Sequence, residues 1–113
     1  MTASREGSKG VGDVGHGDVW WADLDKIRPV VVLTRRRVAS RLGRILVAPV
    51  TTTVRGLRTE VTLGQPEGVK PGCVANLDNI QLIPASSLLR RAGFVDPARW
   101  REFCGAMMSV MAC

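Results

Sequence analysis

Asp18-Val-Trp-Trp-Ala-Asp-Leu24, Pro29-Val-Val-Val-Leu-Thr34 and Ile45-Leu-Val-Ala-Pro-Val-Thr51 follow one another in a chain of 113 residues. All three runs are rich in β-branched and aromatic side chains, the composition of strands on a pleated, half-buried surface. Shorter runs of the same kind lie at 59–63, 73–76 and 79–83, separated by turn-forming stretches such as Gly64-Gln-Pro-Glu-Gly68 and Lys70-Pro-Gly72. Short strands at this spacing predict a mainly β protein built as a small, strongly bent sheet or barrel. Pro49 lies inside the third run and has no N–H to give a ladder, so it predicts an edge position or a bulge there.

The chain changes character at both ends. Residues 1–16 are rich in glycine and poor in apolar side chains, which predicts a flexible tail ahead of a single domain at 17–113. Residues 86–91 predict a short helical turn. Residues 97–111 predict a helix, with Asp96 as N-cap and Pro97 at its first position. In that helix Trp100, Phe103, Met107, Val110 and Met111 recur at three- and four-residue steps and form one apolar face, expected to pack on the sheet or on a second subunit. Trp20 and Trp21 occupy successive strand positions, so they point to opposite faces and one of them needs a further layer. Packing under the C-terminal helix is the expectation for them.

Hydrophobic residues make up 45% of the chain and charged ones 23%, a globular composition. Lysine and arginine number 16 against 10 acidic residues, a net charge of +6 carried mostly by arginine, which suits a phosphate-bearing polyanion. The cations concentrate at Arg35-Arg-Arg37 with Arg41 and Arg44, and at Arg55 with Arg58. Both groups are expected in loops, either as the walls of a groove that tracks a nucleic-acid backbone or, for the first group, as a solvated turn. Three cysteines without a CxxC spacing support neither a disulfide framework nor a zinc site, and they point to a reducing cytoplasm. Cys73 and Cys104 are expected to be buried apolar residues, and Cys113 a frayed thiol. No apolar run approaches the ~18 residues of a membrane helix, and the N-terminal stretch lacks the apolar segment of a signal peptide.

Several chemistries are disfavoured. His16, the sole histidine, falls in the tail, so a Ser/His or Cys/His pair lacks a fixed base. No HExxH, DxD or GxxxxGK[ST] pattern occurs, and no metal or cofactor is expected. RNA remains a feasible substrate, because its 2′-hydroxyl is a built-in nucleophile. Cleavage then needs a base for that hydroxyl, a cation for the phosphate and help for the departing oxygen.

The order Gly17-Asp-Val-Trp-Trp-Ala-Asp-Leu24, Arg28-Pro-Val-Val-Val-Leu-Thr34, Val47-Ala-Pro-Val-Thr-Thr53, Thr59-Glu-Val-Thr-Leu63 and Gly72-Cys-Val-Ala-Asn-Leu-Asp-Asn-Ile80 resembles the MazF/PemK toxin endoribonucleases. The resemblance runs from Gly17 to about Ile83, and more loosely through the last helix. It implies a CcdB/MazF-like, SH3-like partly open barrel with a C-terminal helix, and a homodimer that binds single-stranded RNA in a groove along its interface. It also implies metal-independent cleavage to a 2′,3′-cyclic phosphate and a 5′-hydroxyl, and a cognate antitoxin that fills the groove with an acidic flexible segment.

Residue by residue, the resemblance implies that Arg28 meets the scissile phosphate, Thr51 holds a phosphate oxygen, and Asp78 acts as general base or as a base-reading contact. The plainer readings are a surface arginine anchoring the turn before Pro29 and a strand-end threonine satisfying its own backbone. Thr52, Thr53, Arg55, Arg58, Asn76 and Asn79 are the RNA-binding candidates. Two departures stand out. The stretch from Asp23 to Arg28 joins its strands almost directly where the family carries a longer loop, so Asp25 or Lys26 replaces only part of it. Asn76 stands where some relatives have arginine, which leaves Arg28 as the phosphate cation. The alternative is a non-catalytic RNA-binding or gyrase-targeting toxin of the same fold, although the Val110-Met-Ala-Cys113 ending does not match the terminus of gyrase-poisoning toxins.

Overall fold

The computed structural model describes residues 14–112. Seven strands form one antiparallel sheet: β1 (Asp18–Asp23), β2 (Ile27–Val32), β3 (Arg44–Thr51), β4 (Glu60–Leu63), β5 (Cys73–Asn76), β6 (Gln81–Pro84) and β7 (Leu88–Phe94). Their order is β4-β5-β3-β2-β1-β7, with β6 also paired to β3. Helix α1 (Arg36–Leu42) joins β2 to β3, and α2 (Trp100–Met108) ends the fold. No helix among the described residues is long and apolar enough to cross a membrane.

The valine run in β2 explains why the centre of the sheet has no wet face. Val30, Val31 and Val32 are all fully buried, although successive strand residues point to opposite sides. Val31 packs with Val19, Ala48, Val50, Leu63 and Leu77 on one face, which Phe103 and Ala106 of α2 cover. Val30 and Val32 pack with Val14, Ala22, Ile45 and Val47 on the other, where Ala39 of α1 joins them. An unbroken apolar run is the signature of a strand buried on both sides.

Pro49 sits within this central strand, not at an edge. Leu46 donates its N–H to Thr34 Oγ1 and accepts from Leu33 N–H at 2.8 Å, so its backbone groups point toward β2. Backbone direction alternates along a strand, and residue 49 therefore faces the opposite edge. Along that edge β6 pairs with Arg44 to Val47 and β5 with Val50 and Thr51, leaving a gap beside Pro49. The 3₁₀ turn Leu77–Asn79 fills the gap, with Leu77 buried in the core and its N–H bonded to Thr59 O at 2.8 Å. The missing proline donor thus falls where the ladder is interrupted, and no strand bond is lost.

Other expectations are corrected. Residues 85–87 form only a 3₁₀ turn, and 88–94 form β7 paired to β1, because the open edge of β1 supplies ladder partners that outweigh local helix preference. The arginines at 36, 37 and 41 lie on helix α1 instead of a loop. The C-terminal helix is preceded by a 3₁₀ turn, Pro97–Arg99, where Asp96 accepts from Ala98 N–H at 2.9 Å. That helix ends at Met108, leaving Val110 and Met111 exposed. Trp100 and Phe103 stack beneath it at 4.9 Å, whereas Trp20 packs on the opposite core and Trp21 carries Arg90 over its ring. Cys73 is buried but Cys104 is exposed. Val14 is buried, and His16 lies 5.2 Å from the Trp100 ring, so the packed body includes the last residues of the expected tail. Residues 1–13 and Cys113 lie outside the described residues.

The sheet curls until the segment after β4 meets β7, without a ladder to close it. Gly68 has φ +86°, and a Cβ there would strike the carbonyl of Ala92, while one at Gly93 would meet Glu67 O at 2.5 Å. Arg99 holds the same seam, donating to Glu67 at 3.0 Å and to Thr62 O at 2.8 Å. Gly68→Ala therefore combines a left-handed backbone with backbone overlap and should destabilise the fold by about 2–4 kcal/mol. Gly43→Ala, with φ +68° and open space around it, should cost only about 1–2 kcal/mol. Urea midpoints of the two variants check the ranking.

Candidate active site

The β2–β3 ladder records Val30 opposite Pro49 and Val31 opposite Ala48. Arg28 and Thr51 each lie two residues beyond the last pair of this ladder, at the same end of the hairpin. By alternation both belong to the face of Val30, Val32 and Val47.

Arg28 is a restrained but weakly partnered cation. Its side chain is 22% exposed, and Nη2 lies 3.5 Å from Asp25 Oδ2, at the outer limit of a hydrogen bond. Asp25 itself is 75% exposed, so this pair contributes little. The Nε atom is buried and has no hydrogen-bond partner among the described residues. Thr51 Oγ1 accepts the N–H of Thr53 at 3.1 Å, an interaction that uses the oxygen and leaves the hydroxyl proton available as a donor.

A second group lies beside the first, on the loop that follows Thr51 and on the turn beside Pro49. Arg55 donates from Nη2 to Asp78 at 2.9 Å and lies 3.5 Å from Asn76 Oδ1, while its Nε reaches Glu60 at 3.2 Å. Glu60 has a side chain only 4% exposed and accepts the backbone N–H groups of Arg55, Gly56 and Leu57, the shortest at 2.8 Å. This carboxylate shapes the loop from within. Burial pushes its pKa upward, but the three N–H donors and the guanidinium outweigh that and hold it below the ordinary value. The Arg55 guanidinium is pushed above its ordinary value, first by the hydrogen bond to Asp78 and then by that to Glu60.

Direct contacts thus unite Arg55, Asn76 and Asp78, while Arg28 and Thr51 share a face at one end of the β2–β3 hairpin without a recorded contact between them. Thr52, Thr53, Arg58 and Asn79 are exposed around them. His16 is elsewhere, since Gly17 donates to Val32 O at the far end of β2 from Arg28. Sequence reasoning missed the part played by Glu60. The available signal was an acidic residue placed five positions after Arg55, across a glycine-containing loop.

The family of PemK-like, MazF-like toxins of type II toxin–antitoxin systems matches residues 16–111. The chain is 41% identical over 101 residues to the probable endoribonuclease MazF5 of Mycobacterium tuberculosis, covering 87% of this chain and 93% of that relative. It is 47% identical over 74 residues to endoribonuclease MazF3 of the same species, covering 66% and 72% respectively. Among solved structures, the M. tuberculosis toxin MazF-mt6 superposes with a TM-score of 0.79 at 39% identity, over 82% of this chain and 94% of that one. MazF-mt6 thus shares the fold described above. The chain belongs to the PemK-like, MazF-like toxin family.

Because the Glu60 pKa is lowered on folding, its contribution to stability is present above the unfolded value of 4.5 and is lost as the pH falls through the folded value. Glu60→Gln should therefore be less stable than the unmodified chain at pH 7 and should lose part of the acid sensitivity below about pH 4.5. Urea midpoints across pH 3 to 7 test this. Parallel curves for the two proteins would contradict it.

Proposed function

We propose that this chain is the cytoplasmic toxin of a type II pair and cleaves single-stranded RNA at a phosphate held between Arg28 and Thr51. The observation that carries the reading is the state of Arg28. Arg55 and Arg99 are each gripped by two carboxylates, whereas Arg28 has one weak, exposed partner and a buried Nε with none. Such a guanidinium is pre-organised for an anion from outside.

The chemistry follows from RNA's own nucleophile. The 2′-oxygen attacks phosphorus, the bond from phosphorus to the 5′-oxygen breaks, and the products are a 2′,3′-cyclic phosphate and a 5′-hydroxyl. Arg28 neutralises charge developing on the phosphate, and the Thr51 hydroxyl donates to a phosphate oxygen. Asp78 takes the proton of the 2′-hydroxyl, and the departing 5′-oxygen takes one from solvent. In the free protein Arg55 occupies the Asp78 carboxylate, and a backbone phosphate arriving at Arg55 competes for that guanidinium and frees Asp78 for the proton. Thr52, Thr53, Arg58, Asn76 and Asn79 line the approach as contacts to backbone and bases. The groove is completed by a second copy, for which Leu46 and Leu82, cross-strand neighbours that are 43% and 57% exposed, supply apolar surface. An antitoxin with an acidic flexible segment competes with RNA for the same cations.

Incubation of a long RNA with EDTA-treated protein, followed by mapping of 5′-hydroxyl ends, should reveal cuts at one recurring sequence. Arg28→Ala should lower cleavage by about 10²–10³-fold, the loss typical of a single charge-stabilising donor, while the protein stays folded. A clean absence of cuts at excess protein would favour a non-catalytic RNA binder, and undiminished cleavage by Arg28→Ala would overturn the site.

A further inference from the structure

We propose that α1 and its N-terminal flank form a second surface for the RNA backbone, which takes up the strand several nucleotides away from the phosphate held by Arg28 and Thr51. The proposal rests on the ribonuclease reading of that pair and extends it along the hairpin.

Charge is the first support. No acidic residue occurs anywhere from Lys26 to Thr59, a stretch that contains β2, α1 and β3, and five arginines fall between Arg35 and Arg44. A polyanion following this hairpin therefore meets no like charge from the hairpin itself, and the carboxylates that approach it from other segments, Asp25, Asp18 and Asp78, each face an arginine.

Geometry is the second. Ala39 packs α1 onto the face occupied by Val30, Val32 and Val47, which is the face that register assigns to Arg28 and Thr51. At about 3.3 Å per strand residue, the four steps from Arg28 to the end of β2 at Val32 span roughly 13 Å, and Arg35 lies beyond that end. Two residues past buried Ala39, Arg41 lies on the opposite side of the helix at about 100° per residue and so points away from the sheet. Arg35 and Arg41 are exposed and have no acidic partner among the described residues. Arg36 differs, leaning toward Asp18 at 3.9 Å, and Arg44 alternates to the other face of β3. Arginines placed along a strand's path bind phosphates without reading bases, so this surface adds affinity and direction while leaving the choice of cleavage sequence to the first site.

The occupant is RNA and not an acidic peptide, and one experiment separates them. Binding is measured with 2′-O-methyl oligoribonucleotides of about 5 and about 20 residues, which cannot be cut through their 2′-oxygen. Each phosphate contact on single-stranded nucleic acid contributes about 0.7 to the salt slope. Arg35→Ala/Arg41→Ala should therefore flatten the slope for the longer oligomer by about 1.4, which is about sevenfold less affinity lost between roughly 50 and 200 mM salt. Binding of the shorter oligomer should not change, which also shows that the variant is folded. An unchanged slope on the longer oligomer, an equal change on the shorter one, or weakening confined to a polyglutamate peptide would each overturn the proposal. If the protein cuts no RNA, the reading of Arg28 and Thr51 fails, and this binding contrast still decides the α1 surface.

Discussion

A proline without a donor, fixed in a strand that is paired along both edges, sets the geometry of this molecule. Pro49 lies in the middle of β3, with β2 on one side and β5 and β6 on the other. A strand position that cannot donate would cost a ladder bond against a continuous partner. Here the partner breaks, and Leu77, Asp78 and Asn79 are inserted opposite the gap. Leu77 drops into the core and anchors the insertion, and Asp78 is carried outward to meet Arg55. One missing N–H on a central strand is thereby linked to the position of an exposed carboxylate.

The arginines divide by how firmly the protein holds them. Arg99 joins β4, Glu67 and α2 across the seam of the curled sheet, and Arg91 donates to buried Asp18 at 3.0 Å. Those guanidinium groups are internal fasteners whose charges are already matched. Arg55 is intermediate: Glu60 fixes it from behind while Asp78 meets it from the front. Arg28 is confined by packing but poorly matched in charge. A buried donor without a partner carries a desolvation cost of about 1–3 kcal/mol, which any acceptor reaching it would relieve. The candidate site is thus set apart from the structural ion pairs by what it lacks inside the fold.

Much of this was legible in particular residues. The valines of β2 and the mixed run of β3 announced strands, and five motifs in order between Gly17 and Ile80 carried the resemblance that identified the family. The local reading failed where distant partners decided the outcome. Residues 88–94 carry no alternating pattern, and only the open edge of β1 makes them a strand. Arg35 to Arg37 read as a charged turn because the anchor of α1 is one alanine buried by the sheet beneath it. Trp20 and Trp21 were placed under the C-terminal helix by the sequence, but Trp20 packs on the opposite core and Trp21 lies under Arg90, since the layer covering each face is not written in local spacing.

By itself the sequence determined most strand-forming segments, the cationic surplus and the identity of the arginine and threonine candidates. These follow from side-chain type and short-range spacing, which every chain carries in its order. Tertiary structure alone decided that Arg28 and Thr51 lie at the same end of the β2–β3 hairpin, that Glu60 builds the loop presenting Arg55, and that Asp78 is ion-paired in the free protein. Arg55 reaches Asp78 across 23 positions of sequence, and such meetings are set by register, burial and the curl of the sheet.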